Sequence, residues 1–158
     1  MTDLEQLKSR PVLSALNAWN SAAVKGAKLD RDELTIYIDA PFIRETCLFL
    51  RDQQSFNFMS DLTCVDLHPL NPRFEVVYHL QAIARREWLR LKVRLPGDNP
   101  EIESAFAVYR SANWYERETF DLFGIRFFNH PDLRRIMMPE DWPGHPLRKD
   151  YPVTGERY

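Results

Sequence analysis

The feature that most constrains the fold is a short stretch in which apolar and charged side chains alternate without a break. Within residues 88–95 the alternating positions are Leu89, Arg90, Leu91, Lys92, Val93, Arg94 and Leu95. Successive side chains of a β-strand point to opposite faces, so the pattern predicts a strand with one buried and one solvated face. Such strands are typical of an antiparallel sheet that is covered on one side. We therefore expect a sheet with helices packed against its apolar face.

Further strands are predicted upstream of this one. Residues 74–83 are separated from it by a charged turn at residues 85–87, which is typical of an antiparallel hairpin. Residues 58–66 form a less regular strand. The alternation within residues 34–39 marks what we expect to be the first strand of the chain.

Helices are predicted before and between these strands. Residues 12–23 carry apolar side chains spaced like one helix face, at Leu13, Leu16 and Trp19. Pro41 suits the first turn of a helix that runs to about Gln53, because its missing N–H costs nothing there. The side chains expected to face inward from that helix are Phe42, Phe49 and Leu50.

Two more helices are expected after the sheet. Pro100 would begin the first, with inward-facing residues Ile102, Phe106 and Tyr109. The second would begin at Asn113, with Glu116 in a capping-box arrangement and Gly124 as the C-cap. The predicted fold class is therefore α+β: a mainly antiparallel sheet with flanking helices on one side, in a domain of residues 1–128.

The composition of the 158-residue chain excludes several classes of function. A formal net charge of −2 gives no overall attraction to nucleic acid or anionic lipid. The longest apolar runs, such as residues 47–50, are far shorter than the roughly 20 residues of a membrane-spanning helix. Residues 1–5 are acidic early and lack the apolar core of a secretory signal. We therefore expect a cytoplasmic chain that meets a membrane only through partners.

The two cysteines argue against a metal centre in this chain. Cys47 and Cys64 have no neighbouring Cys or His at ligand spacing. An iron–sulfur cluster usually needs four thiolates, and a structural zinc site needs four Cys or His ligands. We expect two buried, reduced thiols.

Residues 129–158 differ in character from the domain that precedes them. The segment, called the tail below, is rich in proline, with Pro131, Pro139, Pro143, Pro146 and Pro152. It shows no regular periodicity, and all predicted core residues precede Gly124. Its apolar residues, among them Ile136, Met138, Trp142 and Tyr151, are too many for a solvating tail. We expect an extended tail that docks on a partner protein, in preference to packing on its own domain or disorder.

Several polar residues near the tail resemble a catalytic set. Glu118 and Asp121 share one helix face, and Arg117 lies one turn from Asp121, so that the two can pair. His130 and His145 precede Pro131 and Pro146 and have no partner at triad spacing. Structural or interfacial pairing is the favoured interpretation. The basic residues Arg134, Arg135, Arg148 and Lys149 suit acidic faces of neighbouring proteins.

The segment of residues 113–151 resembles the C subunit of proton-pumping NADH:quinone oxidoreductase, respiratory complex I. The family signature falls on Glu116, Arg117, Glu118, Asp121, Leu122, Phe123, His130, Arg134, Ile136 and Met137. Residues 144–152, which read Gly-His-Pro-Leu-Arg-Lys-Asp-Tyr-Pro, and residues 61–66 are also similar to the family. The resemblance covers nearly the whole chain and is weakest over residues 1–30.

The resemblance implies a subunit of the hydrophilic arm that has no catalytic, cofactor-binding or metal-binding residues of its own. FMN, iron–sulfur clusters and quinone would lie in partner proteins, namely the quinone-site D subunit of that complex and its cluster-bearing neighbours. The arm would sit peripherally on the cytoplasmic side of the cell membrane. The residues implied for the interface are Glu116, Arg117, Glu118, Asp121, Phe123, Gly124, His130, Pro131, Arg134, Arg135, Trp142, Gly144, His145, Pro146, Leu147, Arg148, Lys149, Asp150 and Tyr151.

Two alternatives stay open. The same subunit type occurs in membrane-bound hydrogenases and in related complexes that take electrons from ferredoxin, so the electron donor is not fixed by this chain. A stand-alone enzyme would instead use Glu116, Asp121 and His130.

Overall fold

The computed structural model describes residue 7 and residues 10–154, and it has the predicted α+β architecture. The helices of this part of the chain are α1 (Pro11–Trp19), α2 (Ile43–Gln54) and α3 (Ala112–Phe123). Its strands are β1 (Val24–Asp30), β2 (Glu33–Ile38), β3 (Phe58–Asp66), β4 (Phe74–Ala82), β5 (Glu87–Leu95), β6 (Glu101–Glu103) and β7 (Arg126–Phe128). The N-terminal residues 1–5 and the tail residues 155–158 lie outside the described residues.

The main sheet has the strand order β1-β2-β5-β4-β3. Its neighbours are antiparallel except β2 and β5, so the prediction of a mainly antiparallel sheet is confirmed. The predicted hairpin is β4 and β5, in which Phe74 lies opposite Leu95 and Ala82 opposite Glu87. A parallel pair needs a long connection between its strands, and here α2, β3 and β4 supply it.

One face of the sheet carries the core. The alternating apolar side chains of β5 are buried, as predicted, and they join apolar residues of all three helices in one cluster. The opposite face is polar. There Lys92 and Arg94 both donate to Glu75 of the neighbouring strand, at 2.7 and 3.2 Å. Helices on one side and charge on the other follow directly from the period-two pattern.

The N-terminal part of the prediction needs correction, because β1 was not expected. Helix α1 ends at Trp19, four residues before the predicted end of the helix, and the strand predicted as the first is β2. Strand β1 is an edge of the sheet and contains Lys25, Gly26 and Lys28, with an irregular register between Val24 and Gly26. Edge strands carry charges and irregularities that discourage pairing with a further strand. These features also interrupt the apolar–polar alternation from which a strand is predicted.

The inward face of α2 also differs from the prediction. Pro41 lies in a short 3-10 turn, Ala40–Phe42, and the α-helix begins at Ile43. Leu50 is buried as expected, but Phe42 and Phe49 are only half-buried. Phe49 instead stacks on Trp19, with ring centroids 4.8 Å apart.

The prediction of a helix that begins at Pro100 is wrong. Residues 101–103 form β6, which pairs in parallel with β7 and places Ile102 opposite Phe127. The Arg126 N–H extends this ladder by donating to the Pro100 carbonyl at 3.0 Å. Tertiary pairing therefore overrides the local helix signal. Ile102 and Tyr109 are buried as expected, and Phe106 is half-buried.

Helix α3 also begins without the predicted capping box. It starts at Ala112, no side chain caps its N-terminus, and Glu116 turns into the core instead. The prediction of Gly124 as the C-cap is confirmed, since its φ is 75°. The core also continues past Gly124 into Ile125 and Phe127, contrary to the expectation that it ends there.

Helix α3 covers the edge of the sheet at β3. The Tyr115 hydroxyl donates to the Ser60 carbonyl at 2.8 Å, and the Ser111 hydroxyl donates to the Met59 carbonyl at 3.0 Å. These carbonyls lie where the β3–β4 register shifts, between Met59 and Asp61.

Among the described residues, no helix combines the length and apolarity that crossing a bilayer requires.

Candidate functional site

Asp121 of α3 fastens the first half of the tail. Its carboxylate is fully buried. Atom Oδ2 accepts the backbone N–H groups of Ile136, Met137 and Met138 at 3.0, 2.6 and 2.9 Å. Atom Oδ1 accepts Nη1–H of Arg135 at 2.9 Å. Consecutive N–H groups that converge on one anion form a favourable electrostatic site, so one helix side chain fixes four successive tail residues.

The charge on Asp121 is essential to this contact. Burial alone raises the pKa of the carboxyl, but the hydrogen bonds from Met138, Met137 and Ile136, together with Arg135, outweigh it and hold the pKa below its usual range. The contact is therefore charge-assisted at neutral pH. Because the folded-state pKa is depressed, this stabilisation is present above the unfolded-state pKa and is lost as the pH falls through the folded-state value.

Asp66, at the end of β3, fastens the second half of the tail. It accepts Nε–H and Nη2–H of Arg73 at 2.9 and 2.8 Å, and the N–H groups of His68 and Lys149 at 2.9 and 2.8 Å. Arg73 in turn binds Asp150 through both terminal nitrogens, at 2.9 and 2.7 Å. The Arg73 hydrogen bond is the main reason that the pKa of Asp66 lies well below its usual range.

The tail also completes the C-terminal end of α3. The last carbonyls of a helix have no partner within the helix. Here His145 Nδ1 donates to the Asp121 carbonyl at 2.9 Å, the Leu147 N–H donates to the Leu122 carbonyl at 3.0 Å, and Arg148 Nε donates to the Phe123 carbonyl at 2.6 Å. A cation beside these carbonyls also interacts favourably with the helix dipole.

Gly124 permits this close crossing of helix and tail. Its φ of 75° lies in the left-handed region, and a Cβ at this position would lie 2.6 Å from both His145 and Arg148. Glycine is therefore required here for its backbone conformation and for its lack of a side chain.

The end of the described tail folds back on itself. Trp142 Nε1 donates to the Tyr151 hydroxyl at 3.1 Å, and that hydroxyl donates to the Pro143 carbonyl at 3.3 Å. Gly144 has φ of 73°, and the Tyr151 ring would lie 2.9 Å from a Cβ there. The aromatic residues predicted as docking residues thus also shape the tail itself.

The inner side of the tail therefore packs against its own domain, which was the less favoured of the two ordered arrangements expected from the sequence. Its outer side stays in water, with Met137 63% and Leu147 51% exposed. Among the other predicted interface residues, Glu118, Pro131, Arg134, Lys149 and Asp150 are exposed, and Pro146 is half-buried. Docking on a partner through this outer side stays a prediction.

Glu116 and His130 form a second, buried polar group at the root of the tail. Glu116 accepts hydrogen bonds from the Ser104 hydroxyl and from the Ala105 N–H. His130 Nδ1 accepts the Asp132 N–H at 3.0 Å, so Nε2 carries the ring proton and donates to the Asn113 carbonyl at 3.1 Å. His130 Nε2 lies 3.9 Å from Glu116.

Burial shifts both groups of this pair toward their neutral forms. It raises the pKa of Glu116 to about 7, although the bonds from Ser104 and Ala105 act in the opposite direction. Burial also lowers the pKa of His130. Because both groups are shifted toward their neutral forms, neither has to carry a full charge in these apolar surroundings.

These positions correct two sequence-based ideas about the polar residues. Arg117 does not pair with Asp121; it donates to the Arg134 carbonyl at 3.2 Å and lies over the Trp114 ring at 4.9 Å. The three residues of the enzyme alternative do not converge, because Asp121 is saturated by tail donors while Glu116 and His130 face each other elsewhere. Two surface cavities, of about 30 and 450 Å³, are lined by residues of β1, β2, β4 and β5 and their connections, and neither is lined by a residue of this trio.

Cys47 and Cys64 are free and buried, as expected. Burial raises the pKa of the Cys64 thiol to about 12 and raises that of Cys47 further. No group of three or more His, Cys, Asp or Glu residues in the described part of the chain has metal-binding geometry.

Two residues of the site were missed from the sequence. Asp66 lies within the patch 61–66 that resembles the family, but its role was not inferred, and Arg73 was not considered. The available signal was an acid and a basic residue at opposite ends of a hairpin loop, Asp66 closing β3 and Arg73 preceding β4. Arg73 and Asp150 are 77 positions apart, so no local pattern indicates that they pair.

Comparison with known proteins supplies the context for this geometry. Residues 36–157 match the family model described as "Respiratory-chain NADH dehydrogenase, 30 Kd subunit". The chain is 44% identical over 136 residues to the C subunit of NADH-quinone oxidoreductase from Geobacter sulfurreducens, covering 85% of this chain and 84% of that protein. It is 45% identical over 152 residues to the corresponding C subunit from Roseiflexus sp., covering 95% and 87% of the two chains.

Solved structures share the fold as well. A structure described as Nqo5 of the trypsin-resistant fragment (1-134) has a TM-score of 0.65 at 27% identity, covering 82% of this chain and 98% of that one. A chain of the membrane-bound sulfane sulfur reductase, an archaeal respiratory membrane complex, has a TM-score of 0.77 at 26% identity, covering 92% and 86%.

Proposed function

The chain belongs to the respiratory-chain NADH dehydrogenase 30 kDa subunit family, which includes the C subunits of NADH-quinone oxidoreductase, and from this premise we propose that it is a non-catalytic scaffold subunit of the peripheral arm. Electrons pass from NADH through FMN and iron–sulfur clusters to quinone in partner subunits, coupled to proton translocation. The partners of this chain are the quinone-site D subunit and the cluster-bearing subunits. It lies on the cytoplasmic side of the cell membrane and contacts the membrane only through them.

The two-sided character of the tail is the observation that carries this proposal. Asp121 and Asp66 hold its inner side at fixed positions along α3 and β3. The apolar side chains of Met137 and Leu147 point away from these contacts and remain largely exposed. A segment that is already ordered loses little conformational entropy when it binds, so a modest apolar surface can provide useful affinity.

The predicted interface residues divide by role in this proposal. His145, Arg148 and Gly124 position the tail on α3, whereas Met137 and Leu147 meet the partner. Binding energy at interfaces is concentrated in a few well-placed residues, so losing one such residue commonly costs more than about 1 kcal/mol. A charge at both positions is expected to lower association with the complex by roughly a hundredfold.

The test uses a tagged full-length chain expressed in cells and recovered from membranes. The Met137→Lys/Leu147→Lys variant is expected to fold as stably as the wild type, since both side chains are exposed and a cation is favourable beside Asp121 and the C-terminal end of α3, yet to recover few partner subunits. Substitution is preferable to truncation after Pro139, because truncation would also remove the groups that cap α3. Co-purifying subunits are quantified by mass spectrometry.

The matched control is Ile83→Lys. Ile83 is 57% exposed and follows β4 at the end opposite to Arg73. This control should recover the wild-type set of subunits. If the double variant assembles as well as the control, the tail is not the docking surface, and the proposal is wrong.

A second candidate keeps the scaffold role and changes the electron donor. The likeness to the sulfane sulfur reductase chain, with its TM-score of 0.77, supports the broader possibility that the fold serves another respiratory membrane complex. The candidates from the sequence are a related complex that takes electrons from ferredoxin and a membrane-bound hydrogenase. The same purification separates these possibilities. Recovery of a flavin-bearing, NADH-oxidising subunit assigns the chain to the NADH-dependent complex, and recovery of a hydrogenase or ferredoxin-accepting subunit assigns it to the other.

A further inference from the structure

A cavity of about 450 Å³ lies on the polar face of the main sheet, opposite the helices. The side chains that line it include Lys25, Tyr37, Asp39, Pro72, Lys92 and Arg94. Tyr37 lies beside Lys92 in the β2–β5 register and beside Gly26 in the β1–β2 register, and the missing side chain of Gly26 leaves space next to the Tyr37 ring. Sites for small molecules commonly have volumes of about 300–1,000 Å³, so a small organic ligand would fit this cavity.

Positive charge is in excess around the cavity. Lys92 Nζ and Arg94 Nε share a single carboxylate, that of Glu75, at 2.7 and 3.2 Å. The third cation, Lys25, pairs with Asp39 at 2.9 Å. Three cations thus meet two carboxylates in this part of the described structure, although the whole chain has a formal net charge of −2. A cleft with an excess of one charge concentrates counter-ions of the other sign.

The side chains of the cavity also have unused hydrogen-bond donors. Arg94 donates only through Nε, and neither of its terminal nitrogens has an acceptor within the described residues. The Lys92 ammonium donates one of its three hydrogens, to Glu75. The Tyr37 hydroxyl makes no hydrogen bond to any residue that the structure describes. A free guanidinium fork is suited to binding two oxygens of one phosphate or carboxylate.

We propose that this cavity binds the phosphate group of a small organic molecule, with the Arg94 guanidinium and the Lys92 and Lys25 ammonium groups as its charged contacts. A phosphate ester presents three free oxygens, one more than a carboxylate, so it can accept hydrogen bonds from all three cations. The Tyr37 ring and Pro72 provide an apolar wall for the organic part of the ligand. The site is independent of the docking role of the tail.

Titration of the isolated full-length chain with phenyl phosphate at low ionic strength, followed by amide chemical shifts, tests the site. Saturable shifts are expected at residues 25–26, 37–39 and 92–94. Phenyl phosphate should bind more tightly than inorganic phosphate, because its ring can contact Tyr37 and Pro72. The Lys25→Gln/Arg94→Gln variant should weaken binding by at least about tenfold, because it removes two hydrogen-bonded charges from the ligand. Glu75 keeps its bond from Lys92 in this variant, so its buried carboxylate is not left unpaired.

The matched control is Lys28→Gln/Arg126→Gln, which removes one lysine and one arginine and changes the net charge equally. Both residues belong to exposed surface pairs, with Asp30 and Glu101, and neither lines the cavity. The control should bind phenyl phosphate like the wild type. An equal loss in both double variants would show a general attraction between charges and overturn the proposal. Shifts scattered over the surface of the wild type, or no saturable shifts around the cavity, would also overturn it, and this result needs no variant to fold.

Discussion

Replacing Asp121 with alanine tests the main structural claim, that one buried carboxylate holds the tail on the domain. The change leaves the N–H groups of residues 136–138 and the guanidinium of Arg135 without their acceptor. Hydrogen bonds to a charged group contribute about 1.5–3 kcal/mol each. Their sum exceeds the true loss, because the tail can leave α3 and regain hydrogen bonds from water.

Removal of one partner of a buried charge pair commonly costs about 3–5 kcal/mol, which we take as the expected weakening of tail attachment. That energy corresponds to an increase of roughly a hundredfold to several thousandfold in the population of the detached tail. The measurement is amide hydrogen exchange of residues 136–138 in the isolated full-length chain. In Asp121→Ala these amides should exchange faster by about that factor, while the amides of β4 and β5 change little.

Asp132→Ala provides the matched control. Asp132 is an exposed tail carboxylate paired with Arg134 at 2.9 Å, and such surface pairs contribute about 0–1 kcal/mol. In Asp132→Ala, the amides of residues 136–138 should exchange at rates close to those of the wild type. If residues 136–138 exchange at the wild-type rate in Asp121→Ala, the carboxylate does not hold the tail, and the argument for a preformed docking segment fails with it.

Two further predictions concern stability. Gly124→Ala should lower the free energy of unfolding by more than about 1 kcal/mol, because it combines a strained φ with a clash against His145 and Arg148. Gly26→Ala is the control, since a Cβ there would make only an ordinary contact with Tyr37 at 3.9 Å, and urea unfolding of both variants measures the difference. The Glu116 contribution to the unfolding free energy should fall by about 3 kcal/mol as the pH rises from about 4.5 to about 7, because the pKa of Glu116 is raised from 4.5 to about 7 and the folded chain holds that proton more tightly. The lowered pKa values of His130 and His145 act in the opposite direction over this range, so the contribution is read as the difference between wild type and a Glu116 variant. Glu116→Gln should abolish this contribution, and an unchanged slope in its pH–stability profile would refute the assignment.

The elements that were predicted correctly are those whose signal is local. The alternation of β5, the hairpin with β4 and the glycine C-cap of α3 depend on side-chain periodicity and on backbone conformations that few residues adopt. The resemblance over residues 113–151 was equally local, and it identified the family correctly.

The errors arose where distant parts of the chain decide the local conformation. Pro100, followed by acidic residues, is a good helix start in isolation, but pairing with β7 makes the segment a strand. Glu116 has the spacing of a capping residue, yet the buried Ser104 and Ala105 N–H offer it stronger partners. In both cases a contact that forms only in the folded chain outweighs a local preference of a few tenths of a kcal/mol to about 1 kcal/mol.

The sequence by itself determined the fold class, the covered and open faces of the sheet, and the family of the chain, because each is written in periodicity or in contiguous motifs. Only the tertiary structure decided what the tail residues do. Asp66 and Asp121 are 55 positions apart, and the tail residues that they bind lie farther along the chain, so no local pattern relates them. Burial decides their role: an ionised carboxylate in the core must collect donors, and the tail backbone supplies them.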